Sequence, residues 1–143
     1  MGYPAMKVAR YIVTYCISHG CPISNLKLQK ILYFAWIDYY KAKKEYLFDD
    51  YMCAWQLGPV VPDVYYRFCV YGGKAIIQQY PEQLATEDQE LLDAIIPRYA
   101  SQTVGELVNR THLPGKPWAL TYRGGEGNRR AIFFSSIIEL ECK

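Results

Sequence analysis

Along most of this chain, hydrophobic residues recur with a helical period. Over residues 7–18, Val8, Tyr11, Ile12, Tyr15 and Cys16 fall at i, i+3, i+4, i+7 and i+8, which predicts a helix with one apolar face. Gly20, Cys21 and Pro22 stop it. A stronger helix is predicted from Ser24, a favourable N-cap. Leu28, Ile31, Leu32, Ala35, Trp36 and Tyr39 form its apolar stripe, Tyr33 and Trp36 widen it, and Lys27, Lys30 and Asp38 lie off it. Over 47–61 the helical period is lost and Gly58-Pro59 marks a turn, so a short strand or hairpin near residues 50–57 fits best. Pro62 suits a first helical position, with Asp63 favouring the dipole, and Gly72-Gly73 ends that helix after Val64, Tyr65, Phe68 and Cys69. Capping boxes stand at Thr86-Glu-Asp-Gln89 and Thr103-Val-Gly-Glu106, with a third at Ser136-Ile-Ile-Glu139, while Gly124-Gly-Glu-Gly127 reads as a mobile loop. The expected fold is mainly α: a single domain over 1–143, with about six helices and a small β element.

Composition narrows the class. Of 143 residues, 51% are hydrophobic and 21% charged, which excludes disordered and fibrous chains. The net charge of +2 implies neither a nucleic-acid nor a membrane partner by itself. It conceals two opposed segments, however. Residues 81–96 carry Glu82, Glu87, Asp88, Glu90 and Asp93 with no base, whereas 110–130 carry Arg110, Lys116, Arg123, Arg129 and Arg130 against Glu126. The simplest reading is two solvated faces that partly neutralise each other; the sharper one makes the Arg123–Arg130 loop a contact for an anionic partner. No aromatics interleave with that loop at single-strand-binding spacing, which disfavours nucleic acid.

Aromatic residues make up 15% of the chain, and 14 of them are Tyr. Tyr15 and Tyr33 lie on apolar stripes and read as core. The pairs Tyr39-Tyr40 and Tyr65-Tyr66, with Tyr51 and Tyr71, cannot all face inward, and exposed tyrosines beside Trp36 or Trp55 would suit a protein contact. Among these, Tyr40, Tyr65, Tyr66 and Arg67 are the candidate partner-binding residues. The longest apolar run, 31–37, falls far short of the ~20 residues of a membrane span, and no cleavable signal is evident, so a cytoplasmic protein is expected.

Catalytic signatures are scarce. Five cysteines at irregular gaps suggest no disulfide framework. Cys16, His19 and Cys21 could offer three metal ligands, but a structural zinc wants four and the other histidine, His112, is remote in sequence; no metal or cofactor is expected. The Gly-rich run lacks a phosphate-loop ending, Asp49-Asp50 point to opposite faces of an extended segment, and no nucleophile elbow occurs.

Several ordered motifs resemble one family. Leu26-Lys-Leu-Gln-Lys-Ile-Leu-Tyr-Phe34, Ala54-Trp-Gln-Leu-Gly-Pro-Val-Val-Pro-Asp-Val-Tyr65, Tyr71-Gly72 with Ile76, residues 99–112 and Pro117-Trp118 together resemble the Panacea domain, the SocA-like antitoxin family that is also described as phage-associated and GepA-like. The likeness extends over roughly residues 5–140. It implies a mostly helical, non-catalytic cytoplasmic protein that neutralises a cognate toxin encoded by a neighbouring gene. Neutralisation would occur either by direct binding alone or by delivery to a ClpXP-type protease. The alternative is a phage or mobile-element accessory protein that binds a host protein or nucleic acid. Within the motifs, Leu28, Gln29, Lys30, Tyr33, Trp55, Gly58, Pro59, Val60, Pro62 and Trp118 read as scaffold: Leu28, Ile31, Leu32, Trp55 and Val64 as core, Gly58-Pro59 and Pro62 as a turn and helix start. Gln29 and Lys30 each require a local partner.

Overall fold

A computed structural model describes residues 2–143. In chain order it contains α1 (Ala5–Ser18), α2 (Asn25–Lys43), β1 (Met52–Trp55), β2 (Gly58–Val60), α3 (Pro62–Phe68), α4 (Thr86–Ala100), α5 (Val104–Thr111), α6 (Pro117–Tyr122), β3 (Ala131–Ile132) and α7 (Phe134–Glu141). Short 3-10 turns follow α3 and α6. The mainly α expectation holds, with seven helices rather than about six among the described residues. The β element is a hairpin, but its turn falls at Gln56-Leu57 and not at Gly58-Pro59, which pair within β2: Cys53 faces Val60 and Trp55 faces Gly58, and β3 extends the other edge of β1.

The architecture follows from α2. All ten residues from 28 to 37 are buried, so this helix has no solvent face over that stretch, and α1, α3, α4, α5, α7 and β2 all pack around it. Helices apolar on every side occupy interiors. Trp36 is fully buried; its indole N–H donates to the Phe48 carbonyl at 3.0 Å and its ring stacks on Phe134 at 4.8 Å. This placement bears out Trp36 as a core residue of the apolar stripe and corrects two expectations. Trp36 is unavailable to a partner. Lys30 does not lie off the apolar stripe, because a helix enclosed all round has no outer side there: its exposure is 0%.

Helix starts are legible where the cap is local. The Ser24 hydroxyl accepts from the Lys27 N–H at 3.2 Å, and Thr103 and Glu106 form both bonds of the capping box. Pro62 occupies the first turn of α3, and Gly72 (φ 59°) closes the 3-10 turn after it. At the end of α1, Gly20 (φ +74°) allows a Schellman turn in which Cys21 N–H donates to Cys16 C=O at 2.8 Å. Asp49 and Asp50 are not idle turn residues: they accept from the backbone N–H of Gly2 (3.3 Å) and Ala5 (3.0 Å), so Asp50 caps α1 from a distance.

Two capping boxes do not form. α4 is preceded by Ala85, and the Gln89 carboxamide oxygen accepts from Leu84 N–H instead of serving Thr86. α7 begins at Phe134, not Ser136, because β3 delivers the chain directly and Phe134 stacks on Trp36. The Gly124–Gly127 segment is not an open loop either. Gly127 N–H donates to Tyr122 C=O at 2.8 Å, and the chain beyond exchanges bonds with Ala54 through Arg129 N–H (2.6 Å) and Arg130 C=O (2.8 Å). Tyr15, read as core, is half-buried and stacks on His19 at 3.9 Å.

Nor do the acidic and basic segments neutralise each other. The acidic residues pair with α1 and α2 instead: Glu82 with Arg10, Glu87 with Lys43, and Asp93 with the Tyr11 hydroxyl. Asp88 is the centre of this set, only 6% exposed, accepting from Tyr3 at 2.5 Å, Lys43 at 2.8 Å and Tyr39 at 3.0 Å. Burial works to raise its pKa, but the bonds donated by Lys43, Tyr3 and Tyr39 outweigh it and hold the carboxyl below its ordinary value. Because the folded value is the lower one, this stabilisation is whole above the unfolded pKa of about 3.9 and is lost as pH falls through the folded pKa. Asp88→Asn is therefore expected to cost about 1–2 kcal/mol at pH 7 and progressively less below pH 4. Urea unfolding at both ends of that range checks this, and an equal penalty at each would contradict it.

Candidate functional site, an aromatic and arginine face

Where β1 meets α3, three aromatic rings gather under one guanidinium. Trp55 packs edge-on against Tyr65 (4.9 Å between centroids) and lies 5.9 Å from Tyr66. The Arg129 guanidinium sits 4.5 Å from the Trp55 ring, and its Nη1 is 3.4 Å from the Tyr66 hydroxyl oxygen. Tyr66 is 55% exposed and Leu57, at the hairpin tip, 51%. Beside the cluster lies a cavity of about 490 Å³ lined by Ser24, Leu26, Trp55, Leu57, Tyr65 and Val104, among others.

Trp55, Tyr65 and Arg129 are each held from behind. Trp55 closes the hairpin opposite Gly58, and its carbonyl accepts from the Trp118 indole at 2.7 Å. Asn25 donates to the Tyr65 carbonyl at 3.0 Å, fixing α3 to the start of α2. Arg129 has a positive φ of 69°, a conformation imposed by its N–H bond to Ala54. Rings fixed this way lose little freedom on binding.

Beneath the face runs a buried polar chain from α2. Gln29 donates to Asn25 Oδ1 at 3.0 Å and accepts from Val61 N–H at 2.9 Å, and the Lys30 amine donates to Pro59 C=O at 2.7 Å. These are the local partners that the two residues require. Lys30 has no carboxylate, and burial pushes its amine down to about 7. His112, stacked on Trp118 at 3.7 Å, is lowered by burial and by the Lys30 charge. The motif residues thus tie α2 to the β2–α3 connection that carries Tyr65 and Tyr66.

Of the candidate partner residues, Tyr65 and Tyr66 join the cluster. Tyr65 is half-buried. Arg67 is exposed beside Phe68, and Tyr40 is half-buried against Trp36, fifteen residues along α2 from Asn25 or about 22 Å away. Two members lie outside the four candidates, though the sequence set Trp55 beside exposed tyrosines and Arg129 in a loop that could meet an anionic partner. Trp55, read as core, is only partly buried, and Arg129 reaches it from 74 positions away in sequence. The excess of arginine over acid in 110–130 was its only sequence signal.

Charge on this side is one-sided. Arg110 stacks over Phe34 at 4.7 Å and Lys116 pairs with Glu141 at 3.4 Å, but Arg123, Arg129 and Arg130 are exposed with no carboxylate within 4 Å among the described residues. Cys16 is buried, with its thiol pushed up to about 12 by burial, and His19 turns to the Tyr15 carbonyl at 2.8 Å. No three His, Cys, Asp or Glu side chains among the described residues gather at metal-holding positions. No helix among them is long and apolar enough to cross a membrane. The face offers ring surface, hydroxyls and guanidinium.

A family model described as "Antitoxin SocA-like, Panacea domain" matches residues 28–119, and the chain belongs to that family. The match includes α2 from Leu28 onward, the hairpin, α3 and Trp118. The chain is also similar to "Antitoxin SocA" of Caulobacter vibrioides (strain NA1000 / CB15N), 29% identical over 133 residues that span 84% of this chain and 71% of that protein. No solved structure matches it.

Proposed function

We propose that this Panacea-family chain is a non-catalytic antitoxin of the cytoplasm that binds a cognate protein toxin directly, through the face built by Trp55, Tyr65, Tyr66 and Arg129. One observation carries the reading: a partly exposed Trp–Tyr–Arg cluster, held by hydrogen bonds from α2, α6 and β1, has the composition and the preorganisation of an interaction hot spot. Occlusion of the toxin and its delivery to a ClpXP-type protease both begin with this binding step. The name of the Caulobacter relative supports the toxin as the kind of partner.

Co-expression with the product of the neighbouring gene tests the reading. That product is expected to arrest growth alone and to co-purify with this chain. Tyr66→Ala is expected to weaken the complex by at least about 30-fold, roughly 2 kcal/mol, with an unchanged melting temperature, whereas Tyr40→Ala leaves affinity within about threefold. A neighbouring product that is harmless and does not bind, or a Tyr66→Ala variant that binds normally, removes the support.

A further inference from the structure

A second surface, on the other side of α6, has a different chemistry. Leu120 and Phe133 are 56% and 65% exposed and wall a groove of about 590 Å³, floored by Pro117 and Ala131 and rimmed by Arg123 and Arg130. Two features separate it from casual surface hydrophobicity. Phe133 stands at the N-cap of α7, where a Ser, Thr, Asp or Asn would satisfy the first-turn N–H groups; here a large exposed ring occupies that position with no side-chain cap bond. Arg123 holds a left-handed φ of 48° at the end of α6, unusual for a residue other than glycine. No acidic side chain lines the groove, and among the described residues neither guanidinium has a carboxylate within 4 Å, Arg123 Nε donating only to Thr121 C=O at 3.5 Å.

We propose that this groove receives an acidic segment of the partner protein, seating a bulky apolar side chain between Leu120 and Phe133 while flanking carboxylates meet Arg123 and Arg130. Charge complementarity selects that occupant: an apolar slot between unpaired cations favours an apolar anchor among carboxylates. Nucleic acid fits less well, since the slot offers one aromatic ring and an aliphatic wall rather than stacking platforms. Naming the toxin as donor of the segment rests on the reading above; the chemistry of the groove does not.

The test titrates the full-length 15N-labelled chain with acetyl-Glu-Asp-Leu-Glu-Phe-Asp-amide, with its twin carrying lysine in place of each acid, and with a short oligonucleotide. The acidic peptide is expected to shift the Leu120, Arg123, Ala131 and Phe133 resonances, less so at high salt. Arg123→Glu and Arg130→Glu are expected to weaken it about tenfold each. Phe133→Asp, which supplies a good cap and so keeps α7, is expected to abolish it, and the uncharged Phe133→Ser to weaken it. Absence of shifts in the groove, equal shifts with the lysine twin, or tighter seating of the oligonucleotide overturns the proposal. A toxin that binds wild type and Phe133→Asp equally removes this groove while sparing the antitoxin reading. A neighbouring product that does not bind at all, with the peptide still seated, does the reverse.

Discussion

Replacing Gly58 with alanine is expected to remove about 3–5 kcal/mol of stability and to lower the melting temperature by roughly 10 °C. Gly58 sits at φ +116°, where an L side chain is strained by about 1–3 kcal/mol. The added Cβ would lie 2.8 Å from both Lys30 Cε and Thr111 Oγ1 and 3.0 Å from Lys30 Nζ. The chain cannot yield cheaply there, because the amine it displaces is fully buried and bonded to Pro59 C=O at 2.7 Å. Loss of that bond leaves a buried donor without a partner, about 1–3 kcal/mol more. Gly20→Ala is the control: φ is +74° but nothing lies within 4 Å of the new Cβ, so only the conformational penalty of about 1 kcal/mol remains. Thermal melts of the two variants side by side decide the matter. A Gly58→Ala protein melting within two or three degrees of Gly20→Ala would mean that Lys30 and the hairpin are not coupled.

That coupling shows what the sequence could and could not disclose. Ser24, Pro62 and the Thr103–Glu106 box were readable because a cap is made within three or four residues, so local order carries its own signal. Asp88 was not readable. Its partners Tyr3, Tyr39 and Lys43 lie 45 to 85 positions away, and an acid that looks solvated in one dimension becomes the junction of α4, α2 and the segment before α1 in three. The same limit hid β3, two residues long and defined only by pairing with β1. It also hid the enclosure of α2, since periodicity assigns one face inward and cannot register a helix packed on every side. For the site, the adjacent tyrosines signalled that something must be exposed, and Tyr66 is. Arg129 carried only the charge signal of the Arg123–Arg130 loop, and its place beside Trp55 depends on a backbone bond to Ala54 across the sheet. Motif residues that resembled a family by spacing acquire a physical role in the fold: Gln29 and Lys30 satisfy the β2–α3 backbone, and Gly58 leaves Lys30 room.

Lys30 itself should make stability depend on pH in an unusual direction. With the folded amine near 7 and the unfolded one near 10.4, the two states bind the same proton below pH 7, and burial of the charge opposes folding in full. Between the two values the unfolded chain holds a proton that the folded chain has released, so the term grows more favourable by about 1.4 kcal/mol per pH unit. Other groups act oppositely at the alkaline end. Cys16 is raised to about 12 and Tyr39 to about 12, so both contribute stability that is whole below their unfolded pKa values and lost as pH rises toward the folded ones. Wild type alone therefore cannot isolate the lysine, but comparison with Lys30→Met can. Methionine fills similar volume without an amine to desolvate, and it leaves Pro59 C=O without its donor, a cost of about 1–3 kcal/mol. Lys30→Met is expected to be at least as stable as wild type at pH 6, and wild type to gain on it by about 2–3 kcal/mol between pH 7 and pH 9. His112 is present in both proteins but is held down partly by the Lys30 charge, so Lys30→Met relieves it and gains further at pH 6, in the same direction as the lysine itself. Urea unfolding at pH 6, 7, 8 and 9 measures the gap directly. Parallel curves would show that the amine keeps its proton against the Pro59 carbonyl throughout. The buried cation beneath the Trp55 face would then be a fixed charge rather than one that titrates near neutrality.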